Sequence, residues 1–400
     1  MDTQQKEVMD IFDKARNFTR AREAEQMGIY PFFTPFEDSE GTVVTYEGRE
    51  IIMIGSNNYL GLTTHPKVRE AAIEAVNKYG TSCTGSRFMN GTLALHRELE
   101  ERLAAFVGKE KCLVFSTGYQ TNLGTISAIV GRGDVVITDK EDHASIVDGC
   151  MLSLGEMKRF RHSDMEDLER VLSKLPTNVG KIVIVDGVYS MGGDIAPLPS
   201  LVELCKKYGA RLLVDDAHSM GVLANGHGTA AHFGVIDDVD IITGTFSKSF
   251  ASIGGFSAGD DDVMHFIQHH ARSLIFSASL PASNTAAVLA ALDVIEDDPG
   301  YVQQVWDNTD YMKQELAKLG FDIGSSETPI IPIIVRDDMR TLLFWKALFE
   351  EGLFTNPVIP PAVPPNMALL RTSYMATHTK EQLDRALDIL DTVGHRLDVI

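Results

Sequence analysis

Residues 182–218 read IVIVDGVYSMGGDIAPLPSLVELCKKYGARLLVDDAH. Two short runs in it, IVIV at 182–185 and LLV at 212–214, are continuously apolar and largely β-branched. Between them, Leu198 to Tyr208 carries apolar residues at helical spacing. A strand buried on both faces, a covering helix and a second such strand make up the unit of a parallel sheet. The pattern extends outward. CLVF at 112–115 and VVIT at 135–138 come before it, and DIIT at 240–243 follows. Helical stretches such as Met165 to Leu175 fill the gaps. The expected fold is α/β, a mostly parallel central sheet flanked by helices. In such sheets ligands bind beyond the carboxyl ends of the strands. The residues that follow each run are therefore the candidates for chemistry.

The rest of the chain divides around this sheet. Residues 4–28 predict one amphipathic helix, with Val8, Ile11, Phe12, Ala15 and Phe18 on one face. It reads as an arm docking on the body or on a partner subunit. Its charges are mixed rather than basic, so a membrane-surface helix is the weaker option. Residues 284–319 look helical throughout. After them come IIPIIV at 330–335, a helix around 339–351, LLRTSYM at 369–375 and a helix from Lys380 to the end. The expected division is an N-terminal helix and arm over 1–55, a large α/β domain over 56–285 and a smaller α+β C-terminal domain over 286–400. Pro360, Pro361, Pro364 and Pro365 mark a stiff loop in the last of these.

Composition narrows the function. The 400 residues carry a formal net charge of -20, and the pI is about 5.0. Such a surface argues against nucleic acid as a partner, because phosphate backbones need a basic field. Any anionic ligand must be held by a local site. Cys83, Cys112, Cys150 and Cys205 form no CxxC pair and read as reduced thiols, as expected in the cytoplasm. The start, MDTQQKE, lacks the basic and apolar regions of a secretory signal. No apolar stretch approaches the roughly 18 residues of a spanning helix. Contact with the inner membrane, if made, is peripheral.

After CLVF comes Ser116-Thr117-Gly118-Tyr119 and a helical pattern. A small turn into a helix N-terminus suits a phosphate, although many βα turns look alike. After VVIT comes Asp142-His143-Ala144-Ser145, and after IVIV comes Asp186-Gly187-Val188-Tyr189-Ser190. Each is weak alone, and a loop histidine is often structural. After LLV come Asp215, Asp216, Ala217 and His218. Two acids ending a buried strand need a cation or polar ligand. Helix capping explains one of them better than both. After DIIT comes Gly244-Thr245-Phe246-Ser247-Lys248-Ser249. An ordinary exposed lysine competes with a buried one whose lowered pKa would suit a Schiff base.

Together these residues fall on one edge of one sheet, and pyridoxal 5'-phosphate needs that set. A lysine bonds the aldehyde, a carboxylate keeps the pyridine nitrogen protonated and a flat ring covers the cofactor face. No GxSxG, HExxH or GxxxxGK[ST] motif appears. His269 and His270 are adjacent and cannot face one metal from a helix, so no metal is expected. Asp260, Asp261 and Asp262 read as caps of the helix that follows.

The chain resembles the α-oxoamine synthases, a family of fold-type I pyridoxal-phosphate enzymes, over roughly residues 28–395. The resemblance rests on GSNNYLGL at 55–62, GSRFMNGT at 85–92, FSTGYQTNLG at 115–124, DHASIVDG at 142–149, VYSMGGDIAPL at 188–198, VDDAHSMG at 214–221, GTFSKSFASIGGF at 244–256 and IFSASLPA at 275–282. GTFSKS, GSRFMNGT and VYSMGGDIAPL look like the bacterial branch that acylates L-serine. That branch condenses L-serine with palmitoyl-CoA, losing CO2, to 3-ketodihydrosphingosine, the first step of sphingolipid synthesis.

The resemblance implies a role for each matching residue. Lys248 holds the cofactor through its amine and later moves protons. Asp215 pairs with the pyridinium nitrogen, His218 bonds the phenolic oxygen, and His143 stacks on the ring. Gly118, Tyr119 and Thr245 hold the phosphate, with Ser190 nearby. Arg371 binds the amino-acid carboxylate, Asn57 lies near it, and His143 helps orient it. Ser277 and Ser279 reach the phosphate from a neighbouring subunit, and Ser86 is also supplied across the dimer, so a homodimer with shared sites is expected. Some family members carry an arginine just before the paired prolines. Ile359 stands there in this chain, so no role of that arginine transfers. The rival readings are a sister synthase, of the glycine C-acetyltransferase or 8-amino-7-oxononanoate synthase type, an aminotransferase-like enzyme, and a non-catalytic ligand-binding regulator. No cysteine falls in a plausible mobile active-site loop, which disfavours a cysteine desulfurase.

Overall fold

A computed structural model describes residues 10–39 and 41–400. Its centre is a seven-stranded sheet. In chain order the strands are β1 (Lys111–Phe115), β2 (Val135–Asp139), β3 (Glu156–Phe160), β4 (Lys181–Asp186), β5 (Arg211–Asp215), β6 (Ile241–Thr245) and β7 (Gly255–Gly259). In space they run β1-β7-β6-β5-β4-β2-β3. Every pairing is parallel except those of β7, which lies antiparallel between β1 and β6. β2, β4 and β6 are buried along their whole length, which is why they read as unbroken apolar runs.

The crossover Leu198–Tyr208 matches its predicted bounds. Leu198, Leu201, Val202 and Cys205 face the core, and Gly209 ends the helix in the left-handed region. Two strands went unread. β3 (EMKRF) is a charged edge strand, and β7 (GFSAG) is built of small residues. Smallness at Gly255 has a steric reason. A Cβ there would stand 2.6 Å from Thr121 Oγ1 and 2.7 Å from Gly118 Cα. The helix Gly118–Ile129 could not then lie against the sheet.

A second core forms around the antiparallel sheet Ile330–Arg336, Ala368–Ser373 and Asn356–Val358. The helices Asp338–Glu350 and Lys380–Arg396 pack on it. The strand Arg49–Met53 pairs in parallel with Leu353–Phe354, and Ile52 and Ile54 join this second core. Part of the N-terminal arm is thus built into the C-terminal unit. Ala282–Asp297 and Gly300–Leu319 are separate helices, broken at Asp298 and Pro299 rather than continuous.

The single helix expected over 4–28 is not formed in the described part. Asp13–Arg16 and Arg20–Gln26 are two short helices, neither burying a residue. Ile11, Phe12 and Phe18 are exposed. A short amphipathic helix with no surface to bury against lacks the packing that stabilises it. Neither piece has a side-chain N-cap. Val8 lies outside the described residues. The capping expected of Asp260 also fails, since its side chain makes no cap bond. Glu110 satisfies the Asp261 N–H instead, at 3.0 Å. Asp261 pairs with Lys111 at 2.8 Å. Cys112, Cys150 and Cys205 are buried, Cys83 is half-buried, and all four are free thiols.

Candidate active site

The carboxyl ends of β1, β4, β5 and β6 open into a cavity of about 580 Å³. Its lining includes Asn57, Gly118, Tyr119, His143, Ser190, Asp215, His218, Thr245, Lys248 and Arg371. Ten of the thirteen residues expected at the site therefore meet in one space. Ser86, Ser277 and Ser279 do not line it. They sit together on a neighbouring edge, where Ser86 bridges to Ala278 and the Ser279 N–H donates to Gly85 O at 2.9 Å. Gln120, on the phosphate-type helix, donates to Ser277 Oγ at 3.1 Å. The hydroxyls of Ser86 and Ser279 are buried without a partner within the chain.

Lys248 follows β6 and is half-buried against the cavity. Burial lowers its pKa, Asp215 and Asp186 oppose the change, and Arg371 adds to it. The result is about 8, so a substantial share of the amine is neutral near physiological pH. Asp215 ends β5 with its carboxylate doubly held. Oδ1 accepts from the Ala217 N–H at 2.9 Å, and Oδ2 accepts from Asn122 Nδ2 at 2.6 Å. Asn122 also donates to Ser145 Oγ at 2.9 Å and accepts from Thr243 Oγ1 at 3.0 Å. Ser145 Oγ in turn lies 2.8 Å from His143 Nδ1. One amide side chain thus ties the carboxylate to the histidine that covers the cavity.

His143 is the N-cap of the helix Ala144–Leu152, and its backbone N–H donates to Asp186 Oδ2 at 2.9 Å. His143 also lines the cavity. Desolvation still lowers its pKa, against the pull of Asp215. Asp186 is pushed well above the carboxylate range, by burial first and then by Asp215. Asp216, adjacent to Asp215, turns away from the cavity. Its Oδ2 accepts from the Thr229 N–H at 3.1 Å, which gives the second acid of the pair a structural task.

The opposite wall is cationic. Arg371 is 5% exposed and pairs with no carboxylate among the described residues. Its Nε donates to Ser190 O at 2.6 Å, and its NH2 donates to Tyr59 OH at 3.3 Å. Tyr59 OH lies 2.7 Å from His218 Nδ1. Burial, then Lys248 and Arg371, hold His218 well below its ordinary pKa. A buried guanidinium lacking an anion is costly and suits a bidentate carboxylate ligand.

The helix Gly118–Ile129 supplies free N–H groups at Gly118 and Tyr119, with Thr117 as its N-cap. The Thr245 and Ser247 hydroxyls lie 2.9 Å apart beside it. A Cβ at Gly118 would stand 2.6 Å from Thr245 Oγ1, so this cradle exists only with glycine. The residues fit pyridoxal phosphate. An amine, a fixed carboxylate, a covering ring and an anion cradle share one cavity. Asn122, Ser145 and Tyr59 carry no assigned role in the sequence reading, although all three lie inside quoted motifs. A signal was present for Asn122, one helical turn beyond Gly118.

The family model for aminotransferase class I and II matches residues 49–390. The chain belongs to that family. Among its relatives are serine palmitoyltransferases and 8-amino-7-oxononanoate synthases. A serine palmitoyltransferase from Sphingobacterium spiritivorum is 48% identical over 390 residues, 97% of this chain and 98% of that one. The solved Sphingomonas wittichii serine palmitoyltransferase is 38% identical with a TM-score of 0.95, covering 98% of this chain and 100% of that one. A serine palmitoyltransferase structure with PLP as its internal aldimine is 37% identical with a TM-score of 0.95, over the same shares. An 8-amino-7-oxononanoate synthase from Thermoanaerobacter pseudethanolicus is 43% identical over 383 residues, 95% of this chain and 97% of that one. The chain therefore has the fold of the fold-type I pyridoxal-phosphate enzymes.

Proposed function

We propose that this chain catalyses the serine palmitoyltransferase reaction, in which L-serine and palmitoyl-CoA give 3-ketodihydrosphingosine, CoA and CO2. The observation that carries this reading is Arg371, a buried cation with no carboxylate partner among the described residues, in the cavity that Lys248 and Asp215 also line. The similarity to serine palmitoyltransferases, at 48% against 43% for the sister synthase, supports serine and palmitoyl-CoA as substrates. The cofactor is pyridoxal phosphate, which supplies an electron sink for the bond broken at the amino-acid Cα.

The chain's own residues divide the remaining work. Arg371 and Asn57 orient the serine carboxylate, which sets the Cα–H toward Lys248. Lys248, poised near neutrality, takes that proton and returns one after CO2 has left. Asp215, held by Asn122, sustains the positive charge that makes the sink effective. His143 covers the cavity and limits water at the reacting carbon. The Cα–C bond to the acyl group forms as the thioester C–S bond breaks, and CoA departs as the thiol. Gly118, Tyr119, Thr245 and Ser190 line the phosphate end and its surroundings. Ser86, Ser277 and Ser279 serve the site of a second subunit in a homodimer; the hydroxyls of Ser86 and Ser279, which have no partner among the described residues, support this.

Among the described residues no helix is long and apolar enough to cross a membrane. Peripheral membrane contact through exposed Ile11, Phe12 and Phe18 is part of the proposal. The test is the visible absorbance of the purified protein with L-serine, glycine and L-alanine, followed by thiol release on adding palmitoyl-CoA. The strongest response to serine with CoA release supports the reading. A stronger response to alanine, with turnover only on pimeloyl-CoA, would transfer the chain to the sister reaction.

A further inference from the structure

We propose that Tyr59 is a positioning residue for this reaction: its hydroxyl fixes the hydrogen of His218 on Nε2 and ties that choice to Arg371. The proposal rests on the reaction above for the meaning of Arg371, but the direction of the hydrogen bonds follows from geometry alone.

A guanidinium only donates. Arg371 NH2 stands 3.3 Å from Tyr59 OH, so that oxygen accepts. The single hydroxyl hydrogen then has two possible acceptors. His218 Nδ1 lies at 2.7 Å and Asn57 Oδ1 at 3.4 Å. The first is a normal hydrogen-bond distance, while the second is long for an O–H donor. Tyr59 is 1% exposed, so no bulk water competes for its hydrogen. His218 Nδ1 is therefore an acceptor. A neutral imidazole carries one hydrogen, which must sit on Nε2.

The imidazole stays neutral because burial, and then the charges of Lys248 and Arg371, disfavour a second proton. Nε2 has no hydrogen-bond partner among the described residues, and His218 lines the cavity. An N–H is thus presented to the space where a cofactor oxygen would carry charge. Tyr59 keeps its own hydrogen because burial, opposed by Arg371, raises its pKa. The same arrangement links two sites. When a substrate carboxylate draws the Arg371 guanidinium, Tyr59 OH loses donor strength and His218 responds. Serine binding is thereby felt at the cofactor ring through one buried hydroxyl.

The test uses full-length protein with 15N-labelled histidine, saturated with pyridoxal phosphate, with His218→Asn identifying the resonance. The expected spectrum shows His218 with N–H at Nε2 and a bare Nδ1 at neutral pH. In Tyr59→Phe, the pH midpoint of the cofactor's visible absorbance should rise by about one unit, the size of one hydrogen bond to a charged oxygen. KM for serine should rise about tenfold as Arg371 loses its support. A protonated Nδ1 in the wild-type protein overturns the proposal, as does a Tyr59→Phe midpoint equal to wild type. If Tyr59→Phe does not fold, the wild-type spectrum decides alone. A protein that takes up no cofactor refutes the proposed reaction, while the His218 resonance still judges the Tyr59 geometry.

Discussion

Asn122 Nδ2 lies 2.6 Å from Asp215 Oδ2, although 93 residues separate the two in sequence. The bond joins the helix behind the phosphate cradle to the carboxyl end of β5. It leaves Asp215 only the freedom to face the cavity. Replacing Asn122 with Leu keeps the volume and removes this restraint. A hydrogen bond to a charged group is worth about 1.5–3 kcal/mol, so kcat should fall about 10- to 100-fold. Steady-state kinetics would show it, with circular dichroism unchanged. An Asn122→Leu enzyme at wild-type kcat would mean that Asp215 needs no such support.

Much of this arrangement was legible beforehand, for a physical reason. Strands buried on both faces must be apolar throughout, so β1, β2, β4, β5 and β6 announce themselves. The residues closing them, Asp215 and Lys248 among them, could then be assigned to one edge. β3 was not legible because an edge strand tolerates Glu156, Lys158 and Arg159. β7 was missed because glycine and serine carry no strand pattern, and close approach of a helix demands them there. Spacing puts Asn122 one helical turn beyond Gly118, but its bond to Asp215, 93 residues away, and that of Tyr59 to His218, 159 residues away, are not legible in the sequence. No local spacing encodes such a contact. The first helix failed because a periodic pattern needs a surface to bury against.

Gly118 tests the anion cradle. An alanine Cβ would stand 2.6 Å from Thr245 Oγ1 and push aside a hydroxyl that also bonds Gly254 O at 3.1 Å. Gly118→Ala should weaken pyridoxal phosphate binding about tenfold, the cost of one lost hydrogen bond. Equilibrium dialysis against the cofactor measures this directly. Unchanged affinity would remove Gly118 and Thr245 from the phosphate site.

Arg371 tests substrate recognition. Arg371→Lys retains the charge but loses the planar fork that suits a carboxylate. KM for L-serine should rise about tenfold or more, while cofactor absorbance stays near wild type. Equal KM values would show that the carboxylate binds elsewhere.

His162 gives a pH-dependent stability with a defined sign. Burial alone would lower its pKa, but hydrogen bonds to Asp139 at 3.1 Å and Asp194 at 2.9 Å, with the charge of Glu141, raise it to about 10. Its unfolded value is about 6.5. The stabilisation is complete below about 6.5 and is lost as pH rises through about 10. The Tm gap between wild type and His162→Gln should therefore be widest in mild acid and close in strong base. A gap that widens with pH would contradict this assignment.

The central claim is that Lys248 is the amine on which the reaction depends. Its most direct test is Lys248→Ala, purified in pyridoxal phosphate and compared with wild type. Visible absorbance is read before and after reduction with borohydride, and thiol release is read with L-serine and palmitoyl-CoA. The account predicts that wild type keeps a cofactor fixed to Lys248 by reduction and releases CoA, while the variant fixes none and releases none. A variant that still fixes cofactor and turns over at the wild-type rate would contradict it.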